Sequence, residues 1–270
     1  MQRGLHPGPC GRPARGLGLL TDPRSETRRV KLSIHPTADL ANAAAAALLT
    51  EWLRDPGVRN LMVAAGNTPL DLYRRIADQK EPLPGLNVFM LDEYVGVPPG
   101  EPRNCANLLR RTVAQAWGIP EERYFTVTSV EAGALASAQA HEERIARGGG
   151  LDAIILGLGQ NGHLGFNEPG SPEQGAAHLL DLEPISIEAN RKWFGGDYAP
   201  AKGITVGMRT ILAARRVLIL AYGPHKRAAT AGMVEGPRTE RCPASLLQGH
   251  PDVHVFLDGE SASGLTRPMR

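Results

Sequence analysis

From Arg29 onward the chain alternates short, continuously apolar runs with longer segments of helical period. Val30–Ile34, which alternates apolar and polar positions, and the runs Leu61–Ala65, Val88–Leu91, Tyr124–Val127, Asp152–Leu158, Arg216–Tyr222 and Val253–Leu257 read as strands. Between them, Ala38–Arg54, Leu70–Asp78, Asn104–Trp117, Ala132–Arg147, His225–Val234 and a short Ala244–Gly249 read as helices. Thr37 offers an N-cap for the first helix, and Thr68-Pro69 a cap with proline at the first helical position for the second. Strands that are apolar throughout, rather than on alternate positions, are covered on both faces, and strands interleaved with helices pair in parallel. The pattern therefore predicts a single α/β domain, Rossmann-like, with three α/β/α layers and a mostly parallel sheet. It spans residues 29–262, with a C-terminal tail over 263–270. Met1–Arg28, rich in Gly, Pro and Arg and without apolar period, is expected to be a disordered tail.

Composition narrows the function more by exclusion than by indication. A chain of 270 residues with 42% hydrophobic and 21% charged residues has ample material for one core. The net charge of +2 argues for neither nucleic acid nor a membrane surface as partner. No apolar run approaches the roughly 20 residues that span a bilayer. Three widely separated cysteines, Cys10, Cys105 and Cys242, fit a reduced cytoplasmic protein and carry no metal-ligand spacing.

In open parallel sheets, ligands sit beyond the carboxyl ends of the strands. The residues that follow Ala65, Leu91, Leu158 and Tyr222 should therefore converge on one crevice. Gly66-Asn67-Thr68-Pro69 joins a strand to a helix N-terminus, where free N–H groups and the helix dipole favour an anion; the pattern is not that of a nucleotide P-loop. Asp92 and Glu93 follow the strand ending at Leu91, and only one of two adjacent side chains can face the crevice. A carboxylate at such a dry edge suits a general base, though an ordinary capping or surface acid pair fits the same spacing. The Gly-rich segment Gly157–Pro169 brings His163, a proton carrier, together with Glu168 five residues on and Asn161 beside it. No second histidine stands near to make a zinc site, and no GxSxG elbow occurs. Lys226, Arg191 and Lys192 are cations available to a phosphate, or else solvated surface charge.

Taken in order, Gly66-Asn67-Thr68-Pro69, Leu91-Asp92-Glu93-Tyr94-Val95-Gly96, Gly159–Pro169 and Gly223-Pro224-His225-Lys226 resemble the glucosamine-6-phosphate deaminase/isomerase family. That family lies in the group that includes the 6-phosphogluconolactonases, and the resemblance runs from about Val30 to Asp258. It implies an enzyme without metal or organic cofactor that converts glucosamine 6-phosphate and water to fructose 6-phosphate and ammonia. His163, held by Glu168 and Asn161, would open the pyranose ring, and Asp92 would carry the C2 proton toward C1. Gly66, Asn67, Thr68, Gly162, Lys226 and a cation at Arg191 or Lys192 would bind the substrate and its phosphate. Three positions depart from the family pattern: asparagine at 161 where aspartate is frequent, Asn67 in place of a second glycine, and Lys192 where a phosphate arginine is expected. Ala176-Ala177-His178-Leu179-Leu180 stands where allosterically activated relatives carry basic residues, so that activation is expected to be absent. The alternatives are a deaminase for another amino-sugar phosphate such as galactosamine 6-phosphate, a lactonase-type hydrolase, and a non-catalytic sugar-phosphate sensor. The sequence leaves a homo-oligomer open.

Overall fold

The computed structural model describes residues 30–266. The tail expected over residues 1–28 lies outside them, as do residues 267–270 of the C-terminal tail. Residues 263–266 still belong to the folded body: Leu265 packs against the core and the Thr266 N–H reaches the Glu235 carboxylate at 3.0 Å.

The first half of the chain lays down β1 (Lys31–His35), α1 (Ala38–Arg54), β2 (Asn60–Val63), α2 (Leu70–Ala77), β3 (Asn87–Met90) and β4 (Asp92–Val95). Next come α3 (Cys105–Leu109), continued by a π-helical stretch over Arg110–Gln115, then β5 (Tyr124–Phe125), α4 (Glu131–Arg147) and β6 (Ala153–Gly157). The second half supplies β7 (His178–Asp181), α5 (Pro184–Trp193), β8 (Lys202–Thr205), α6 (Met208–Leu212) and β9 (Val217–Ala221). It ends with α7 (Arg227–Val234), a 3-10 stretch over Pro243–Gly249, β10 (Val253–Asp258) and α8 (Gly259–Ala262). Seven strands form one wholly parallel sheet in the order β1-β10-β9-β6-β2-β3-β5.

The sheet is buried on both faces, and successive residues of each strand divide between two cores. Leu61, Val63, Val88, Met90 and Ile155 face a layer built by α1, α2, the α3 segment and part of α4, with Ala45, Leu49, Leu72 and Tyr73 against them. Met62, Phe89, Ile154, Leu156, Val217 and Ile219 face the opposite layer, where Met208, Ile211, Met233 and Leu247 pack. The three-layer α/β/α architecture follows.

Two local expectations change. Thr68 does not cap α2; Pro69 occupies the cap position with helical φ/ψ and no side-chain bond. A second sheet, unexpected from the sequence, forms from β4, β8 and β7 in antiparallel order. Asp92 and Glu93 therefore do not end a strand of the main sheet but begin a new one. Leu91 is the hinge: its N–H bonds Val63 O in the main sheet at 3.1 Å, while its carbonyl accepts from Val206 N at 3.1 Å beside the small sheet. The small strands are short; β4 and β8 are largely buried but carry Asp92, Glu93, Lys202 and Gly203, and β7 is partly exposed, so they lack the continuous apolar signature of the main sheet.

From β2 the chain winds outward through β3 and β5; from β6 it winds the other way through β9 and β10. The strand order reverses between β2 and β6, and a crevice opens beyond the carboxyl ends at that switch point.

Candidate active site

The crevice has a volume of about 300 Å³. Its walls are the segments expected to converge: Ala64–Pro69 after β2, Leu91 and Asp92 after β3, Gly157–Gln160 and His163 after β6, and His225 and Lys226 after β9. The strand ends are fastened individually. The Tyr73 hydroxyl donates to Ala64 O at 2.8 Å, the His141 imidazole to Met90 O at 2.9 Å, and Gly223 N to the Asp258 carboxylate at 2.9 Å.

Asp92 and Glu93 separate into the two roles that alternation allows. Glu93 turns away from the crevice and accepts from the backbone N–H groups of Tyr94, Cys105 and Ala106 at 2.8, 3.0 and 2.9 Å, which ties the start of α3 to β4. Asp92 faces the crevice, is 8% exposed, and receives no hydrogen bond from any described residue. Burial, reinforced by the neighbouring Glu93 charge, pushes its carboxyl up to about 8. Such a group can exchange a proton with substrate at neutral pH. Cys105 also lines the crevice, but burial and the two adjacent carboxylates push its thiol well above the ordinary value. It is a protonated wall, not a nucleophile.

Across from Asp92 stands a dyad. The Glu168 carboxylate lies 3.2 Å from His163 Nδ1 through Oε2, which also accepts from Asn161 Nδ2 at 2.7 Å. Its Oε1 accepts from the Ser186 hydroxyl at 2.5 Å. Burial opposes ionisation of Glu168, yet the bond and charge of His163, with Ser186 and Asn161, hold the carboxyl below its usual range. Glu168 thus fixes the Nδ1 side of the imidazole and leaves Nε2 for the crevice. The ring lies directly over Gly159, where a Cβ would come within 2.3 Å of it. Any side chain at 159 would displace the imidazole.

The cationic wall is Lys226. Burial alone drives its ammonium down to about 8, and among the described residues no carboxylate pairs with it. Gly66, with φ of +99°, and Asn67 and Thr68 present the turn into α2 on the same crevice. An unpaired cation beside such a turn is arranged for a bound anion.

Three expected binding residues lie elsewhere. Arg191 and Lys192 have side chains 60% and 76% exposed, lean toward Glu188 at 3.9 and 3.6 Å, and do not line the crevice. The phase of α5 explains this. Ser186, Ala189, Asn190 and Trp193, at helical i, i+3, i+4 and i+7 spacing, form its inner face and leave 191 and 192 outside. Gly162 is likewise outside the crevice. With φ of +86° it makes the turn between Gly159 and His163, and a Cβ there would come within 2.6 Å of Cys242 Sγ. Asn161 touches Glu168 rather than the crevice, so it positions the dyad.

Sequence reasoning missed the whole of α5. The helix is fastened to the dyad by Ser186 and at its far end by Trp193, whose indole N–H donates to Arg103 O at 2.9 Å. The helical phase of Pro184–Trp193 was the available signal. Tyr94 and His225, quoted only as parts of motifs, also line the crevice. Among the described residues no group of three or more His, Cys, Asp or Glu side chains could hold a metal ion, and no helix is long and apolar enough to cross a membrane.

Known proteins resemble this chain in sequence and in fold. A glucosamine-6-phosphate deaminase of Halothermothrix orenii is 38% identical over 208 residues, covering 75% of this chain and 86% of the relative. One of Streptococcus pneumoniae is 36% identical over 215 residues, covering 78% and 89%. The solved structure of a monomeric glucosamine-6-phosphate deaminase superposes with a TM-score of 0.83 at 29% identity, covering 87% of this chain and all of that one. A 6-phosphogluconolactonase of Trypanosoma brucei shares the fold at a TM-score of 0.73 and 22% identity, covering 88% of this chain and 99% of that one. Residues 35–255 match the model of the glucosamine-6-phosphate isomerases/6-phosphogluconolactonase family, and the chain belongs to that family.

Proposed function

We propose that this chain is a glucosamine-6-phosphate deaminase, converting glucosamine 6-phosphate and water to fructose 6-phosphate and ammonia. The observation that carries the reading is Asp92, a buried carboxylate without a donor, on the same crevice as the His163–Glu168 dyad and Lys226. Lactone hydrolysis requires no base to remove a proton from carbon; aldose–ketose isomerisation does. The identity to deaminases of two organisms points the same way.

In this mechanism the sugar phosphate docks with its phosphate at Lys226 and the Gly66–Thr68 turn, and that remote binding orients the reacting carbons. His163 moves the proton from the C1 hydroxyl to the ring oxygen, and the ring opens to the aldehyde. Asp92, ionised, removes the proton from C2, and the electron pair moves to form the enolamine as the carbonyl oxygen at C1 gains a proton. Asp92 returns its proton to C1, which leaves an imine at C2. Water adds to that imine, ammonia departs, and the ketose phosphate remains. No step calls for a metal or an organic cofactor. The working unit is the folded body that runs through residue 266, a cytoplasmic enzyme of a small phosphorylated sugar with no nucleic-acid partner. Ala176–Leu180, which runs into β7, carries no lysine or arginine for an allosteric anion.

The test is a paired assay for ammonia and fructose 6-phosphate, with galactosamine 6-phosphate and 6-phosphogluconolactone alongside. Equimolar release of both products from the gluco substrate is expected. Turnover of the galacto epimer alone would change the substrate, and turnover of the lactone alone would overturn the reading.

A further inference from the structure

One buried polar side chain on the crevice wall has no task in this mechanism. Asn190 is 5% exposed, lines the crevice from the inner face of α5, and makes no side-chain hydrogen bond to any described residue. Its Nδ2 is sealed from solvent and unpartnered. Buried amides are almost always bonded, so an unpartnered one on a residue that lines a cavity indicates a partner that arrives with the ligand. Asn190 lies one helical turn beyond Ser186, the residue that grips Glu168 and so orients His163. The amide therefore belongs with the part of the crevice where the sugar carbons react.

We infer that Asn190 is a specificity-determining residue whose carboxamide bonds a hydroxyl of the sugar, at C3 or C4. This assignment rests on the amino-sugar-phosphate reading above. A carboxamide carries a donor and an acceptor side by side, and the matching group is a hydroxyl, which both donates and accepts. A phosphate oxygen only accepts and already has Lys226; an ammonium only donates. In the open-chain substrate C1 and C5 carry the oxygens that His163 handles, C2 the amine and C6 the phosphate, which leaves C3 and C4.

The test uses three non-reactive ligands: the C1-reduced alditol of glucosamine 6-phosphate and its 3-deoxy and 4-deoxy forms. Their affinities for the full-length protein and for Asn190→Leu and Asn190→Ala are measured by calorimetry, with ammonia release from glucosamine 6-phosphate in parallel. Loss of one neutral hydrogen bond to a site built for it is expected to weaken binding about 10- to 100-fold. The wild type should lose that factor for one deoxy ligand only, and that ligand alone should be indifferent to Asn190→Leu. The variant should melt at or above the wild-type temperature, because an unpaired buried amide has been replaced by an apolar group of similar shape. If Asn190→Leu proves unstable, Asn190→Ala carries the same comparison. Equal weakening of all three ligands, or none, overturns the inference. A wild type that binds the alditol but releases no ammonia would defeat the deaminase reading and leave the hydroxyl comparison to decide Asn190. A wild type that binds none of the three would defeat both.

Discussion

Replacing Asp92 by asparagine should make the protein more stable while it destroys turnover. The side chain is 8% exposed, receives no hydrogen bond from the described residues, and has its carboxyl carried from an ordinary 3.8 to about 8 by burial and by Glu93. Its folded value is raised, so its contribution to stability is fully present below the unfolded value and lost as pH rises through about 8. Each tenfold change in proton affinity is worth about 1.4 kcal/mol, so the ionised form costs the fold up to about 6 kcal/mol by pH 8. Asparagine removes that charge but leaves an amide in the same dry position, at about 1–3 kcal/mol. The net gain is about 3–5 kcal/mol at pH 8, or roughly 6–20 °C in melting temperature for a chain of this size.

Calorimetric melting of both proteins at pH 5, 6.5 and 8 measures it. The difference should vanish near pH 5 and grow toward pH 8. In the same samples ammonia release should fall by about 10²- to 10⁴-fold, the range for loss of a general base. A variant less stable than the wild type at pH 8, or a stability difference that does not vary with pH, would refute the reasoning. Either result would mean that Asp92 is paired or solvated in the free protein.

Three further outcomes follow from the same geometry. In the wild type kcat/KM should rise about tenfold between pH 7 and 9 as Asp92 ionises, and Glu93→Gln, by removing the adjacent charge, should move that rise to lower pH; profiles taken with one substrate cancel its own titration. Lys226→Met should raise KM for the phosphorylated sugar by at least roughly thirtyfold, as expected for loss of a desolvated charge contact, and should abolish inhibition by inorganic phosphate in the same assay. Burial holds the His141 imidazole down at about 4, so native stability attributable to it is lost as pH falls from 6.5 toward 4. His141→Gln, which can still donate to Met90 O, should recover about 2 kcal/mol at pH 5 relative to pH 7 by calorimetry.

The parallel sheet was legible because its strands are buried on both faces: Leu61–Val63 and Val217–Ala221 are apolar at every position and cannot be anything exposed. The small sheet was not. β4 opens with two carboxylates, β7 is half-exposed, and β8 carries a lysine and a glycine, so none has the composition of a core strand. The same boundary divides the site. Asp92, His163 and Lys226 sit in the segments that follow strong strands, and the strand-end rule gathers them; Glu168, farther along the same loop, joins them only through its bond to His163. Ser186 and Asn190 come from a helix between two strands of the small sheet; its helical phase is present in Pro184–Trp193, but its docking on the crevice is a tertiary event that the strand-end rule does not report. Arg191 and Lys192 were attractive for their charge alone, and charge carries no information about helical phase.

The order of strands also sets the order of assembly. β10 lies between β1 and β9, so Lys31 pairs with His254 across more than two hundred residues of sequence. During synthesis the flanks of β1 and β9 must wait for the last strand of the sheet before either can close. The Asp258 carboxylate at the end of β10 fastens Gly223, the turn that delivers Lys226 to the crevice. The residues that hold the dyad are thus translated well before the residue that secures the cation. Such long-range closure is slow, and the emerging chain exposes apolar strand edges until it is complete. A nascent chain halted before Val253 would carry Asp92, His163 and Glu168 yet lack the fastening for its anion site, so its sugar-phosphate affinity should arrive only with the final strand.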